Sequence, residues 1–248
     1  MNLGFKTEEF GKHLMIFFDK EVPGWKRFAS ELVNDRVVLE SPNLRKMFEE
    51  KGDVIVYEVY HLYKAVDKLM NGYRKTKISS HLTFLHSGVF SDGEEGELYL
   101  TYGHLHQKPI GEAFTVLNNQ CYFVLSDLNT KETFIIRMKK GNSILVHPRF
   151  LHRIVSFKKD CLIIDFVPDK AGHNYGAVKN KGFPFHLFLK RGKLHVVKNP
   201  RYKGGKVKII NSYRAGTNPL RLFENNPMKL KEILEDPDKH KNLYFGRN

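Results

Sequence analysis

The pattern of apolar and polar positions changes character at Val54. Before it, charge is mixed with apolar residues at helical spacing: Trp25, Phe28 and Leu32, then Leu44, Met47 and Phe48. Ser41-Pro42 supplies a cap and a first-turn proline for the second run. The pattern predicts a helical N-terminal extension over residues 1–53. From there on, short β-rich runs follow at near-regular spacing, at 54–60, 78–85, 97–106, 112–117, 120–125, 133–138, 143–146, 152–157 and 162–167. Turn residues separate them, among them Asp92-Gly93, Asn118-Asn119 and Lys140-Gly141-Asn142. Many short strands of this kind predict a mainly β domain, a sandwich or jelly roll.

Beyond Pro168, two more strand-like pieces at 185–189 and 194–198 are placed to extend the sheet, so the core domain runs over 54–202. A polar, basic tail over 203–248 remains. In it Asn226-Pro227 opens a short helical run that Pro237 stops. Such a tail is expected either to move freely or to cover a partner subunit.

Composition narrows the class. At 248 residues and 41% hydrophobic content the chain can bury one β core with appendages. Cys121 and Cys161 both lie in apolar runs, which suits buried reduced thiols and a cytoplasmic location. No stretch approaches the roughly 20 apolar residues of a membrane span, and Glu8 and Glu9 precede only a short apolar stretch, unlike a signal peptide. The formal charge of +14 is concentrated between Lys170 and Phe223, where thirteen Lys and Arg occur without one Asp or Glu. That basic arm attracts anions in general, sugar phosphates and nucleic acid included, or is simply a solvated face. With no helix-turn-helix or zinc-finger signature, nucleic acid is not the expected partner.

The sharpest chemistry lies in Gly103-His104-Leu105-His106-Gln107-Lys108-Pro109-Ile110-Gly111-Glu112. On a strand His104 and His106 project to one face, and after the turn Glu112 opens the return strand beside them. A second segment, from Gly141 through His147-Pro148 to His152, delivers a third imidazole. Three histidines and one carboxylate on rigid strands leave coordination positions open. That suits a divalent first-row ion, Fe2+ first and Mn2+, Ni2+ or Zn2+ as alternatives, better than a closed structural zinc site. The competing view makes His104 and His106 surface strand residues and His152 a core histidine. His147 is read as structural.

These two segments resemble the two motifs of the cupin superfamily, with five residues between His106 and Glu112 in a slightly longer hairpin. A closer resemblance, over roughly 54–202, is to the cupin-type glucose-6-phosphate isomerases of archaea. Val56-Tyr57-Glu58-Val59-Tyr60, Thr101 ahead of the His-x-His, Ala171-Gly172-His173-Asn174-Tyr175-Gly176 and Asn199-Pro200-Arg201-Tyr202 carry it. The resemblance implies a cupin jelly-roll barrel, a homodimer, and a phosphate held by Tyr57, Thr83, Thr101 and the Gly103 backbone. It also implies a sugar-phosphate substrate, glucose 6-phosphate interconverting with fructose 6-phosphate. Family tyrosines near the substrate fall here at Phe114, Arg149 and Val167, while His173 and Tyr175 are retained.

For such an isomerisation Glu112 is the candidate to carry the proton between C1 and C2, with His173 or Tyr175 assisting ring opening. A carboxylate on a cation is a weak base, so a different base, or a hydride passing directly between the carbons, stays open beside Glu112. Two other uses of the same shell also stay open: a non-enzymatic sugar-phosphate sensor, and another cupin enzyme such as a dioxygenase or sugar epimerase.

Overall fold

The computed structural model describes residues 3–39, 43–213 and 215–246. Along the chain lie β1 (Phe5–Phe10), β2 (His13–Phe18), β3 (Gly24–Phe28), α1 (Ala29–Asn34) and α2 (Asn43–Lys51). Then follow β4 (Ile55–Tyr60), α3 (Asp67–Thr76), β5 (Ile78–Leu85), β6 (Gly96–Glu97), β7 (Leu105–His106), β8 (Glu112–Val116) and β9 (Gln120–Asp127). Next come β10 (Glu132–Lys139), β11 (Ser143–Val146), β12 (Phe150–Ser156), β13 (Cys161–Pro168) and β14 (His173–Asn174). The chain closes with β15 (Phe185–Lys190), β16 (Lys193–Lys198), β17 (Lys206–Ile210), α4 (Pro219–Asn225) and α5 (Pro227–Glu235).

Two sheets make the barrel: a six-stranded one ordered β11-β8-β13-β5-β4-β3 and a four-stranded one ordered β12-β9-β10-β17. All pairings are antiparallel except β10 with β17. The predicted jelly-roll barrel is present. β13 shows why so many runs read as continuously apolar: it is buried along its whole length. Cys161 and Ile163 join the core between the sheets, while Leu162, Ile164 and Phe166 join a second core on the outer face. Side chains alternate across a strand, so a strand covered on both sides loses its polar register. Helical residues supply the outer cover: Leu69 of α3, Phe223 of α4, and Leu230, Ile233 and Leu234 of α5. The Phe166 and Phe223 rings pack tilted against each other with centroids 4.9 Å apart.

Three expectations change. The helical extension holds only for α1 and α2; between residues 5 and 28 the chain forms the three strands β1, β2 and β3. Trp25 and Phe28, three apart, lie on β3, which pairs antiparallel with β4, and only Leu32 of that trio is helical. In β2 exposed His13, Met15 and Phe17 alternate with more buried Leu14, Ile16 and Phe18 across a turn at Gly11, a period of two that favours the hairpin. The cap assigned to Ser41-Pro42 lies outside the described residues. The tail, in turn, lies on this chain's own barrel: β17 extends the four-stranded sheet and α5 seals the six-stranded one. Finally, β15 and β16 form a separate three-stranded sheet with β6. Residues 97–106, expected as one strand, keep only short pairings, interrupted at Gly103 where φ is +78°.

The tail also braces the turn before Glu112. Gly111 N–H donates to Leu234 O at 2.8 Å, and a β-carbon at 111 would sit 2.4 Å from the Tyr244 hydroxyl, which itself donates to Ile233 O at 2.8 Å. Gly111→Ala is therefore expected to lower stability by about 1–3 kcal/mol through overpacking, read as a shifted urea midpoint. Gly93→Ala, in open space, is expected to stay within about 0.5 kcal/mol.

Candidate active site

Gly103 starts the site. Its positive φ and a would-be β-carbon 2.8 Å from His152 O leave room for glycine alone, so the chain can turn and lie against β12. His104 and His152 then exchange two backbone hydrogen bonds, both 3.1 Å. That bridge brings two imidazoles together, and β7 adds His106 on the same face. The turn braced by Tyr244 returns the chain so that Glu112, first residue of β8, meets all three.

The ligand atoms of His104, His106, Glu112 and His152 lie within 4.8 Å of one another. Glu112 Oε2 is 3.0 Å from His152 Nε2, 3.1 Å from His106 Nε2 and 3.5 Å from His104 Nε2. The outer nitrogens are held by backbone: Nδ1–H of His152 donates to Phe150 O at 3.1 Å, and Nδ1–H of His106 donates to Ile110 O. Pinning Nδ1 in this way turns each Nε2 lone pair inward. His104 Nε2 is buried and has no hydrogen-bond partner, because the 3.5 Å approach to Glu112 is not a hydrogen bond.

Electrostatics agree with a site shaped for positive charge. Burial alone would raise the Glu112 carboxyl, but the surrounding imidazoles outweigh it and hold the group well below the usual range. Burial, with His152 nearby, pulls His104 down to about 3, leaving its lone pair available. Burial lowers His106 too, yet contact with Glu112 raises it above its ordinary value. Ligand atoms bonded at about 2.1 Å to one ion, at right angles, lie roughly 3 Å apart. The spacing around Oε2, the three-nitrogen, one-carboxylate donor set and the orphaned His104 Nε2 all fit a divalent ion.

A cavity of about 290 Å3 opens onto His104, Glu112 and His152. Tyr57, Thr83, Thr101 and Gly103, the phosphate set implied by resemblance, all line it. His173 and Tyr175 line it as well, their ring centroids 4.3 Å and 5.8 Å from that of His104. Phe114 and Val167 form part of the wall. Arg149 does not: its guanidinium lies over Phe150, donates to Gly246 O at 2.8 Å and approaches Asp127 at 3.7 Å. His147 is buried beside Tyr244 and 3.6 Å from Asp238, in keeping with its structural reading.

Wall residues that were not anticipated include Trp25, Tyr102, His61, His81 and Asp165. Trp25 was hidden by the false helical reading of β3. His81 shares a strand face with Thr83, and Asp165 is the one carboxylate in the apolar run of β13, so both signals were present in the sequence.

A family model described as glucose-6-phosphate isomerase (GPI) matches residues 27–203. The glucose-6-phosphate isomerase of Thermococcus litoralis is 28% identical over 161 residues, covering 64% of this chain and 78% of that protein. That of Pyrococcus abyssi is 26% identical over 184 residues, covering 73% and 91%. Among solved structures, oxalate decarboxylase from Bacillus subtilis overlaps 46% of this chain and 25% of its own at 14% identity, with a TM-score of 0.33. The family match spans most of the chain, from β3 to the turn after β16, and takes in every residue of the metal-fitting cluster: the chain belongs to the glucose-6-phosphate isomerase family of isomerase enzymes.

Proposed function

We propose that this chain interconverts glucose 6-phosphate and fructose 6-phosphate with one divalent ion at His104, His106, Glu112 and His152. The observation that carries the reading is that His104, Glu112, His152 and the four-residue phosphate set face a single cavity, with His106 completing the donor cluster. Fe2+ suits the donor set, with Mn2+, Ni2+ or Zn2+ able to take the same ligands. When bound, the ion supplies a Lewis acid that polarises the sugar carbonyl and stabilises negative charge developing at O1 and O2.

The chain's own groups do the rest. Ile154 N–H donates to the Thr101 hydroxyl oxygen at 3.0 Å, which leaves the Thr101 proton free for a phosphate oxygen. Thr83 adds a second hydroxyl, Gly103 a backbone N–H, and Tyr57 a phenol that burial keeps protonated. Partial desolvation at the cavity wall pushes the otherwise exposed Tyr175 up to about 12, so it stays an O–H donor at neutral pH, suited to the ring oxygen during opening. Burial lowers His173, which is therefore neutral and able to accept the C1 hydroxyl proton. As a ligand held well below its ordinary value Glu112 is a weak base, so proton transfer by Glu112 between C2 and C1 competes with a hydride passing directly between the carbons.

The remaining expectations belong to the same reading. Residues 54–202 form the catalytic core, flanked by 1–53 and 203–248, in a cytoplasmic homodimer. The buried free thiols Cys121 and Cys161 support a reducing compartment. No described helix is long and apolar enough to cross a membrane. One observation favours a second reading, a sugar-phosphate sensor: Phe114 and Val167 put apolar surface where the resemblance implies phenols.

Protein loaded with Fe2+ or Mn2+ is expected to interconvert the two sugar phosphates in a coupled assay; stoichiometric metal without turnover would leave the sensor. Glu112→Ala and His152→Ala are expected to lose bound metal by elemental analysis and to lower kcat/KM by about a thousandfold or more. Thr83→Ala and Tyr57→Phe remove donors to a charged phosphate and are expected to raise KM about 10- to 100-fold, each with a smaller change in kcat.

A further inference from the structure

The cavity holds a polar group that neither the metal cluster nor the phosphate set uses. His81 on β5 and Asp165 on β13 are register partners, and His81 Nδ1 lies 2.8 Å from Asp165 Oδ2. His61, just past β4, places its ring 5.1 Å from that of His81. Its Nδ1 is buried with no hydrogen-bond partner. All three residues line the cavity.

Strand register fixes where this group sits. Thr83 lies two residues from His81 on the same face of β5, about 7 Å along the strand. On the other side Asp165 pairs with Phe114, two residues from Glu112 on β8. The His61, His81 and Asp165 row therefore lies between the level of a phosphate-set threonine and the level of the metal-fitting carboxylate. A six-carbon chain with its phosphate at one end and its carbonyl at the other passes over it.

We propose that His81, braced by Asp165, together with His61 forms a hydroxyl-reading subsite for the middle carbons of a phosphorylated sugar. This rests on the isomerase reading above and deepens it. Asp165 Oδ2 takes one nitrogen of His81 and fixes the ring, so that Nε2 is the nitrogen presented to a ligand. Asp165 Oδ1 has no hydrogen-bond partner among the described residues and is a ready acceptor for a sugar O–H. Beside it, His61 Nδ1 is a buried polar atom still without a partner. Burial raises the Asp165 carboxyl; burial also lowers His81, but the neighbouring carboxylate outweighs it and holds the imidazole above its ordinary value. The pair thus combines a donor and an acceptor side by side, the pattern a vicinal diol satisfies. A purely structural pair would need neither a place on the cavity wall nor an unpartnered imidazole next to it.

The test is calorimetric titration of the full chain with two phosphates that cannot isomerise: glucitol 6-phosphate, which keeps the hydroxyls, and hexyl phosphate, which lacks them. Wild type is expected to prefer the polyol. His81→Leu and Asp165→Asn are expected to weaken glucitol 6-phosphate by about tenfold and to leave hexyl phosphate unchanged, which also shows that the variants fold. His61→Gln gives an independent variant that keeps a polar side chain. Equal binding of the polyol to wild type and variants, or no wild-type preference for the polyol, overturns the subsite while leaving the isomerase reading intact. Failure of wild type to bind either phosphate overturns both.

Discussion

Everything in this fold is arranged around one electrostatic constraint: a single carboxylate, Glu112, is surrounded inside the barrel by three imidazole nitrogens. A buried anion is costly without compensating charge, and three inward lone pairs crowd one another without a cation to share. The backbone carbonyls of Ile110 and Phe150 lock the imidazoles in the orientation that makes this conflict, instead of letting them rotate away. Gly103 and the 107–111 turn exist in conformations that bring the four groups to one point.

Much of this was legible in the sequence, and the reasons for success and failure differ residue by residue. The strands from Val54 onward were read from turn residues and β-rich runs, because local chemistry and tertiary structure agree there. The metal-fitting four were legible because strand periodicity converts His-x-His directly into shared direction. Trp25 and Phe28 misled, since a spacing of three satisfies a helix template by chance in a strand whose partner, β4, cannot be seen locally. The tail misled for the opposite reason: β17 and α5 owe their order to surfaces on β10 and β13 far away in sequence. His81 and Asp165 were overlooked because they are distant in the chain and become neighbours only through register.

Departures from the family resemblance acquire a structural meaning once the cavity is drawn. Phe114 and Val167 make their part of the wall apolar, while His81 and Asp165 on neighbouring strands keep polar groups on the same cavity. Arg149, by contrast, has left the pocket and ties β12 to the end of the described chain through Gly246. A position that resemblance would place beside substrate serves packing here.

The clasp between Gly111 and Leu234 also bears on the order in which the molecule assembles. The hairpin that presents His106 and Glu112 closes over a handful of residues, whereas its brace must be recruited across more than a hundred. Loop-closure entropy makes such distant contacts slow to form. The turn that carries Glu112 therefore depends on a contact of much longer range than its own hairpin, and α5, which supplies no ligand, helps to set where the carboxylate stands.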